Sequence, residues 1–214
     1  MSKAQTVIVI GAGGHARVLL DVLGRCGIAV AGLTDADGAK HGKLLAGARI
    51  LGADIVLEEH PPGSTILVNA MGSTESMTLR QAVYERLKAA GYDFLTLVHP
   101  SSVVAPDAVL GEGVQVMAGA IIQPGAKIGA NSIVNTGAQV DHDCSIGAHV
   151  HLSPGVTLSG TVTVGDGTHM GTAATVVQGL CVGRGCLVAA GAVVTAPVAD
   201  GERVAGVPAR RVGA

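Results

Sequence analysis

The chain has 214 residues, 48% of them hydrophobic, and a formal net charge of −2. That length can bury one large core or two modest ones, and the near-neutral charge excludes a general pull toward nucleic acid or anionic membrane. With no Trp, and with Tyr84, Tyr92 and Phe94 clustered together, there is no aromatic platform for stacking bases. Apolar stretches are interrupted well before ~20 residues, so no transmembrane helix is expected. No signal-type segment opens the chain, and Cys26, Cys144, Cys181 and Cys186 form no C-x-x-C pair. A soluble, cytoplasmic protein is the expectation, with no nucleic-acid or membrane partner.

Residues 1–99 alternate in the α/β manner. TVIVIG reads as a buried strand and HARVLLDVLGRCG as an amphipathic helix closed by Gly27. IAVAGLTD (28–35) is a second strand ending in acid, STILVNAMG (64–72) a third, SMTLRQAVYERLKAAG (76–91) a helix and YDFLTLVH (92–99) a last strand. Such alternation implies a parallel, Rossmann-like sheet with ligands at the carboxyl ends of its strands. The first strand–helix junction is Gly11-Ala12-Gly13-Gly14-His15-Ala16, a G-x-G-x-x-A pattern, with Asp35 and Asp37 about twenty residues on. Taken alone, that pattern suits an NAD-linked oxidoreductase.

From residue 100 the pattern changes. Every sixth residue from Val104 to Val194 is Val, Leu, Ile or Met, and the position four beyond each is small or medium. A six-residue period is too short for helix pairs and suits an all-β solenoid of short strands and sharp corners. The division expected is 1–99, a solenoid over 100–198 and a tail over 199–214.

Chemistry concentrates in NTGAQVDHDCSIGAHVHLSPG. Val140 and Cys144 take the inward phase, which leaves His142 and Asp143 on a corner facing outward. A His with pKa near ~6.5 suits removal of a proton from an attacking nucleophile at neutral pH, and a carboxylate beside it orients the ring. Gly160 lies three hexads after His142 and is expected directly above it, where its N–H could meet an oxyanion. The same spacing stacks His151 on His169.

The unbroken hexads and the AGVPARRV ending resemble the hexapeptide-repeat transferases, whose left-handed parallel β-helix closes a triangular coil every three hexads. With GAGGHA on a small Rossmann-like domain, the chain is similar to the sialic-acid-O-acetyltransferase/bacillosamine-pathway group, which includes N-acetyltransferases of nucleotide-linked 4-amino sugars. The resemblance implies acetyl-CoA as co-substrate, no metal, a homotrimer with the active site shared across subunits, and acetyl transfer to a 4-amino-4,6-dideoxy sugar. A GDP-perosamine-type acceptor comes first and UDP-linked sugars next. It makes His142 the general base and Asp143 its partner, where the family often has Glu. It puts His151, Thr172 and Ala190 on the coenzyme, mostly through backbone, with Arg184, Arg210 and Arg211 as the bases near its phosphates. Gly13, Gly14 and His15 would meet the nucleotide-sugar phosphates at a helix start. Asp35 would take the base or ribose, and Gly72 and Ser73 the other side. The alternatives are a sialic acid O-acetyltransferase and, from another class, a zinc carbonic anhydrase of β-helix type, for which His142, His149 and His151 lack the H-x-x-x-x-H spacing.

Overall fold

An apolar run becomes a central strand when both its faces are covered, and Thr6–Ile10 (β1) is such a strand, buried from Val7 onward. The computed structural model describes residues 5–73 and 76–213. Helix α1 (Gly14–Arg25) follows and buries Ala16, Leu19, Val22 and Leu23, the one-sided spacing of an amphipathic helix. Of the strand expected over 28–35, only Gly32–Thr34 (β2) pairs with β1. Leu44–Leu45 (β3) and Ala48–Gly52 (β4) then form an antiparallel pair that the sequence did not announce, and β4 adds to β2 in parallel. Thr65–Asn69 (β5), helix α2 (Thr78–Ala89) and Asp93–Phe94 (β6) complete the layer. The strand order is β3-β4-β2-β1-β5-β6, so the chain reverses direction across the sheet between β1 and β5, where a crevice opens at the carboxyl ends.

The strand expected over 92–99 is two strands. Asp93–Phe94 pairs with β5, whereas Leu97–Val98 (β7) starts the solenoid by pairing with Gln115–Val116. Between them Thr96 Oγ1 donates to the Gly111 carbonyl at 2.9 Å and accepts the Gly113 N–H at 3.1 Å, which turns the chain from one sheet to the other.

Beyond β7 the chain winds a left-handed parallel β-helix. Two-residue strands recur every hexad and pair with the strand three hexads on, giving three flat faces of eight, six and five strands among the described residues. The aliphatic at every sixth position from Val116 to Val194 is no more than 3% exposed. Each coil thus supplies one apolar side chain per face to a narrow core. The first face also takes Arg203–Ala205 and Arg210–Arg211 from the last residues of the chain.

Three residues past each aliphatic from Leu110 to Val188, the corner adopts positive φ. Glycine fills most of these sites, but Asn131, Asp143, His149, Thr161 and Ala173 stand there at φ 56–59°. A side chain in that conformation costs energy, and four of the five carry polar groups whose partners matter below.

The two halves meet through a buried polar joint. Arg80 of α2 is wholly buried and donates to the carbonyls of Asn69 (2.7 Å), Met71 (2.9 Å) and Asn131 (3.1 Å). Asn131 also bonds Asn69 and His149 through its side chain, and His149 sits edge-on to Tyr84. Burial lowers the Arg80 pKa to about 9, so it remains charged at neutral pH.

Candidate active site

The corner between the second and third faces carries His142 and Asp143. Val140 and Cys144 point inward at 0% and 1% exposure, as their phase requires. Asp143 occupies the left-handed corner position, and its Oδ2 lies 2.9 Å from His142 Nδ1. Asp141 Oδ1 accepts the His142 backbone N–H at 2.7 Å, fixing the corner from the other side. The hydrogen bond to Asp143 raises the His142 pKa above its ordinary value, and the charges of Asp141 and Asp143 act in the same direction. Because Nδ1 faces a carboxylate, the neutral ring keeps its proton there and leaves Nε2 as the acceptor.

That Nε2 lies over Gly160. Thr161 N–H bonds the His142 carbonyl at 2.9 Å, which stacks the two corners. A Cβ on residue 160 would overlap His142 Nε2 and come within 2.6 Å of Cε1. The φ of Gly160 is outside the left-handed region, so the corner conformation does not demand glycine; room for the imidazole does.

The residues expected on the coenzyme gather elsewhere. His151 stacks on His169 in the first face. With Ser73, Ser153, Thr172 and Ala190 these histidines line a groove of about 410 Å³ at the corner between the first and second faces. In a triangular coil that corner is a different edge of the prism from the one bearing His142. One chain therefore does not bring His142 to this groove. Arg184 lies in another hollow, with Arg203 and the start of α2, and Arg210 and Arg211 are exposed in the last strand.

The residues expected on the nucleotide-sugar line two recesses. Asp35 is in the first, about 540 Å³, with Gly11, Thr34, Asp54, Met71, Leu79 and Arg86. Its carboxylate already accepts Ala12 N–H at 2.8 Å, Asp37 N–H at 2.9 Å and Lys40 Nζ at 3.0 Å. Partial burial works to raise the Asp35 pKa, but these donors outweigh it and hold the group below its ordinary value. Gly14, His15, Gly72 and Ser73 line the second recess, about 340 Å³, together with Asn135 and His151 of the β-helix. Gly13 caps α1 with no side-chain cap bond, which leaves the helix start to other acceptors.

His15 behaves differently from a simple phosphate ligand. Its Nε2 bonds Gln115 Oε1 at 2.8 Å, while Gln115 Nε2 donates to the Asn69 carbonyl at 2.7 Å. Burial, with the Arg80 charge, lowers the His15 pKa to about 4, so the ring is neutral and committed to the joint between domains. Phosphate contacts at this turn would have to come from backbone N–H groups.

Sequence reasoning missed Gln115, Asn69, Arg80 and Asn131, and weighed His149 only as a zinc ligand. Two signals were available: an arginine on the buried stripe of α2, and Asn131 and His149 in a column otherwise rich in glycine. Among the described residues no three His, Cys, Asp or Glu side chains converge as a metal site, and no helix is long and apolar enough to cross a membrane.

Comparison with known proteins gives the following. The PglD N-terminal domain family matches residues 6–87, and the bacterial transferase hexapeptide family (six repeats) matches residues 107–142 and 125–160. UDP-N-acetylbacillosamine N-acetyltransferase from Bacillus subtilis is 46% identical over 41 residues, so the matched stretch spans 19% of this chain and 19% of that relative. A histidine-to-asparagine variant of perosamine N-acetyltransferase from Caulobacter crescentus, solved in complex with CoA and GDP-perosamine, is 39% identical over 98% of this chain and 97% of that one, with a TM-score of 0.90. The acetyltransferase domain of PglB from Neisseria gonorrhoeae, solved with acetyl coenzyme A, is 35% identical over 98% of this chain and 100% of that one, also at 0.90.

Proposed function

This chain belongs to the hexapeptide-repeat sugar N-acetyltransferases that carry a PglD-type N-terminal domain, and from that premise we propose that it moves acetyl from acetyl-CoA to the 4-amino group of a nucleotide-linked 4-amino-4,6-dideoxy sugar. The observation that carries the mechanism is the bare His142 Nε2 over Gly160, held by Asp143. The amine nitrogen attacks the thioester carbonyl and forms a C–N bond. Its proton passes to His142 Nε2, and the Gly160 N–H meets the developing oxyanion. Collapse breaks the C–S bond, and His142 returns the proton to the departing thiolate. No enzyme nucleophile is required: Cys144, the nearest thiol, points inward, and burial raises its pKa.

The coenzyme belongs in the groove at His151, Thr172 and Ala190. The nucleotide-sugar belongs at the GAGGHA turn, with Asp35 on the nucleoside and Gly13, Gly14, His15, Gly72 and Ser73 toward the phosphates and sugar. Since His142 stands on another edge of the prism, a neighbouring copy must supply it to the groove, which supports a homotrimer with shared sites. The four cysteines are unpaired, in keeping with a reducing cytoplasm.

GDP-perosamine is the preferred acceptor, because 39% identity to the Caulobacter enzyme extends over nearly the whole chain, whereas the match to the UDP-sugar enzyme covers a fifth of it. A sialic acid O-acetyltransferase is the alternative. Thiol release from acetyl-CoA separates these: GDP-perosamine should accelerate it most, UDP-linked 4-amino sugars less and sialic acid not at all. Acceleration by sialic acid alone would replace an amine acceptor with a hydroxyl.

Asp143 offers a pH test. Only the neutral imidazole accepts a proton, so kcat/KM should rise with pH through the raised His142 pKa. Asp143→Asn removes the group that raises it. The limb should therefore move to lower pH, with kcat at neutral pH down roughly tenfold or more. An unmoved limb would detach Asp143 from the base.

A further inference from the structure

The groove at His151 and the recess at His15 share a wall made of Ser73 and His151. The hydrogen bonds in that wall have a fixed direction, and the backbone sets it. Asn135 Oδ1 accepts the Thr136 N–H at 2.8 Å, so the Asn135 amide nitrogen is what faces His151 Nε2 at 3.1 Å. An amide NH2 only donates. His151 Nε2 is therefore bare, and the neutral ring carries its proton on Nδ1. Burial above all, with the Arg80 charge acting in the same direction, lowers the His151 pKa to about 3 and keeps it neutral.

His151 Nδ1–H then donates to Ser73 Oγ at 3.2 Å. The Ser73 hydroxyl has a single hydrogen of its own, and His169 Nδ1 lies 3.0 Å away. His169 Nε2 lies 3.4 Å from Ser153 Oγ. The two rings meet edge to face at 5.0 Å and 89°. Ser73 is the one member of this chain that comes from the N-terminal domain.

We propose that Ser73 is a positioning residue: its hydroxyl bridges His151 Nδ1 and His169 Nδ1 and holds the two ring angles, and so the N-terminal domain shapes the wall of the coenzyme groove. The coenzyme part of this proposal rests on the acetyltransferase reading above. Ser73 lines the groove beside the rings it holds, so its loss is felt in coenzyme binding before it is felt in folding. The deeper recess at Asp35, which does not include Ser73, is left as it was.

The test uses the full chain with 15N-labelled histidine, together with calorimetric binding of coenzyme A and thermal unfolding. Wild-type protein should show His151 as the Nδ1–H tautomer set by Asn135. Ser73→Ala should shift the ring signals of both His151 and His169 and weaken coenzyme A about 3–10-fold, the loss of one hydrogen bond, with Tm unchanged. Ser73→Thr keeps the hydroxyl and should restore both. Wild-type ring signals and coenzyme affinity in Ser73→Ala would overturn the proposal. So would weakened coenzyme A binding with a lowered Tm, which marks a purely structural role. Wild-type protein that binds no coenzyme A would overturn the acetyltransferase reading and the coenzyme part of this one, while the NMR signals alone decide the ring-positioning part.

Discussion

His142→Asn lowers kcat about 10²–10⁴-fold, the usual contribution of a positioned general base, and leaves the affinity for coenzyme A nearly unchanged. Asparagine occupies similar space but accepts no proton at neutral pH. Folding should not suffer, because the His142 side chain is 50% exposed and its one side-chain partner, Asp143, is 65% exposed; such surface changes usually stay within about 0.5 kcal/mol. The loss should fall on kcat and kcat/KM alike, as expected when the missing interaction forms only in the transition state. Steady-state kinetics and coenzyme calorimetry on the variant check this. Near-normal turnover would mean that the thiolate takes the amine proton without help from the imidazole.

Gly160→Ala should impair turnover almost as severely, through a different atom. The added methyl overlaps His142 Nε2, and the half-exposed ring has solvent into which it can swing. Its displacement takes Nε2 away from the reacting amine and strains the bond to Asp143. The backbone at Gly160 needs no left-handed conformation, so alanine fits the coil itself. We expect kcat down by about 10²-fold with thermal stability within about 1 kcal/mol of wild type. The double variant with His142→Asn should be little worse than His142→Asn alone, since both act through one ring. Additive losses would give Gly160 a separate role, such as the oxyanion N–H acting independently of the base.

Much of the solenoid was legible because each hexad repeats one physical requirement, an apolar side chain per face in a narrow core. The same arithmetic placed His142 under Gly160 and His151 on His169. The glycines after the aliphatics were less transparent. Gly147, Gly165 and Gly183 leave no room for a Cβ against the next coil, while the left-handed corner is a separate column two residues further along the chain. In the N-terminal half, β1, β5 and both helices followed from apolar patterning. The hairpin of Leu44–Leu45 with Ala48–Gly52 did not, because the polar, glycine-bearing stretch around it shows no alternation.

The joint between halves was illegible for another reason. Arg80, Asn69, Gln115 and His15 meet across separations of up to 100 residues, and nothing periodic links them. Ser73 likewise meets His151 and His169 at separations of 78 and 96 residues. Sequence reasoning placed Ser73 beside the nucleotide-sugar; the fold also sets it in a wall shared by two hollows. The split of the site between prism edges also needed the coil in three dimensions.

Transfer of acetyl to a sugar nitrogen can be read in the product formed from [13C]acetyl-CoA and GDP-perosamine. A carbon-13 amide carbonyl coupled to a nitrogen-bound proton on the sugar's 4-position is the result predicted. A labelled ester, or labelled acetate with the sugar unchanged, would contradict it.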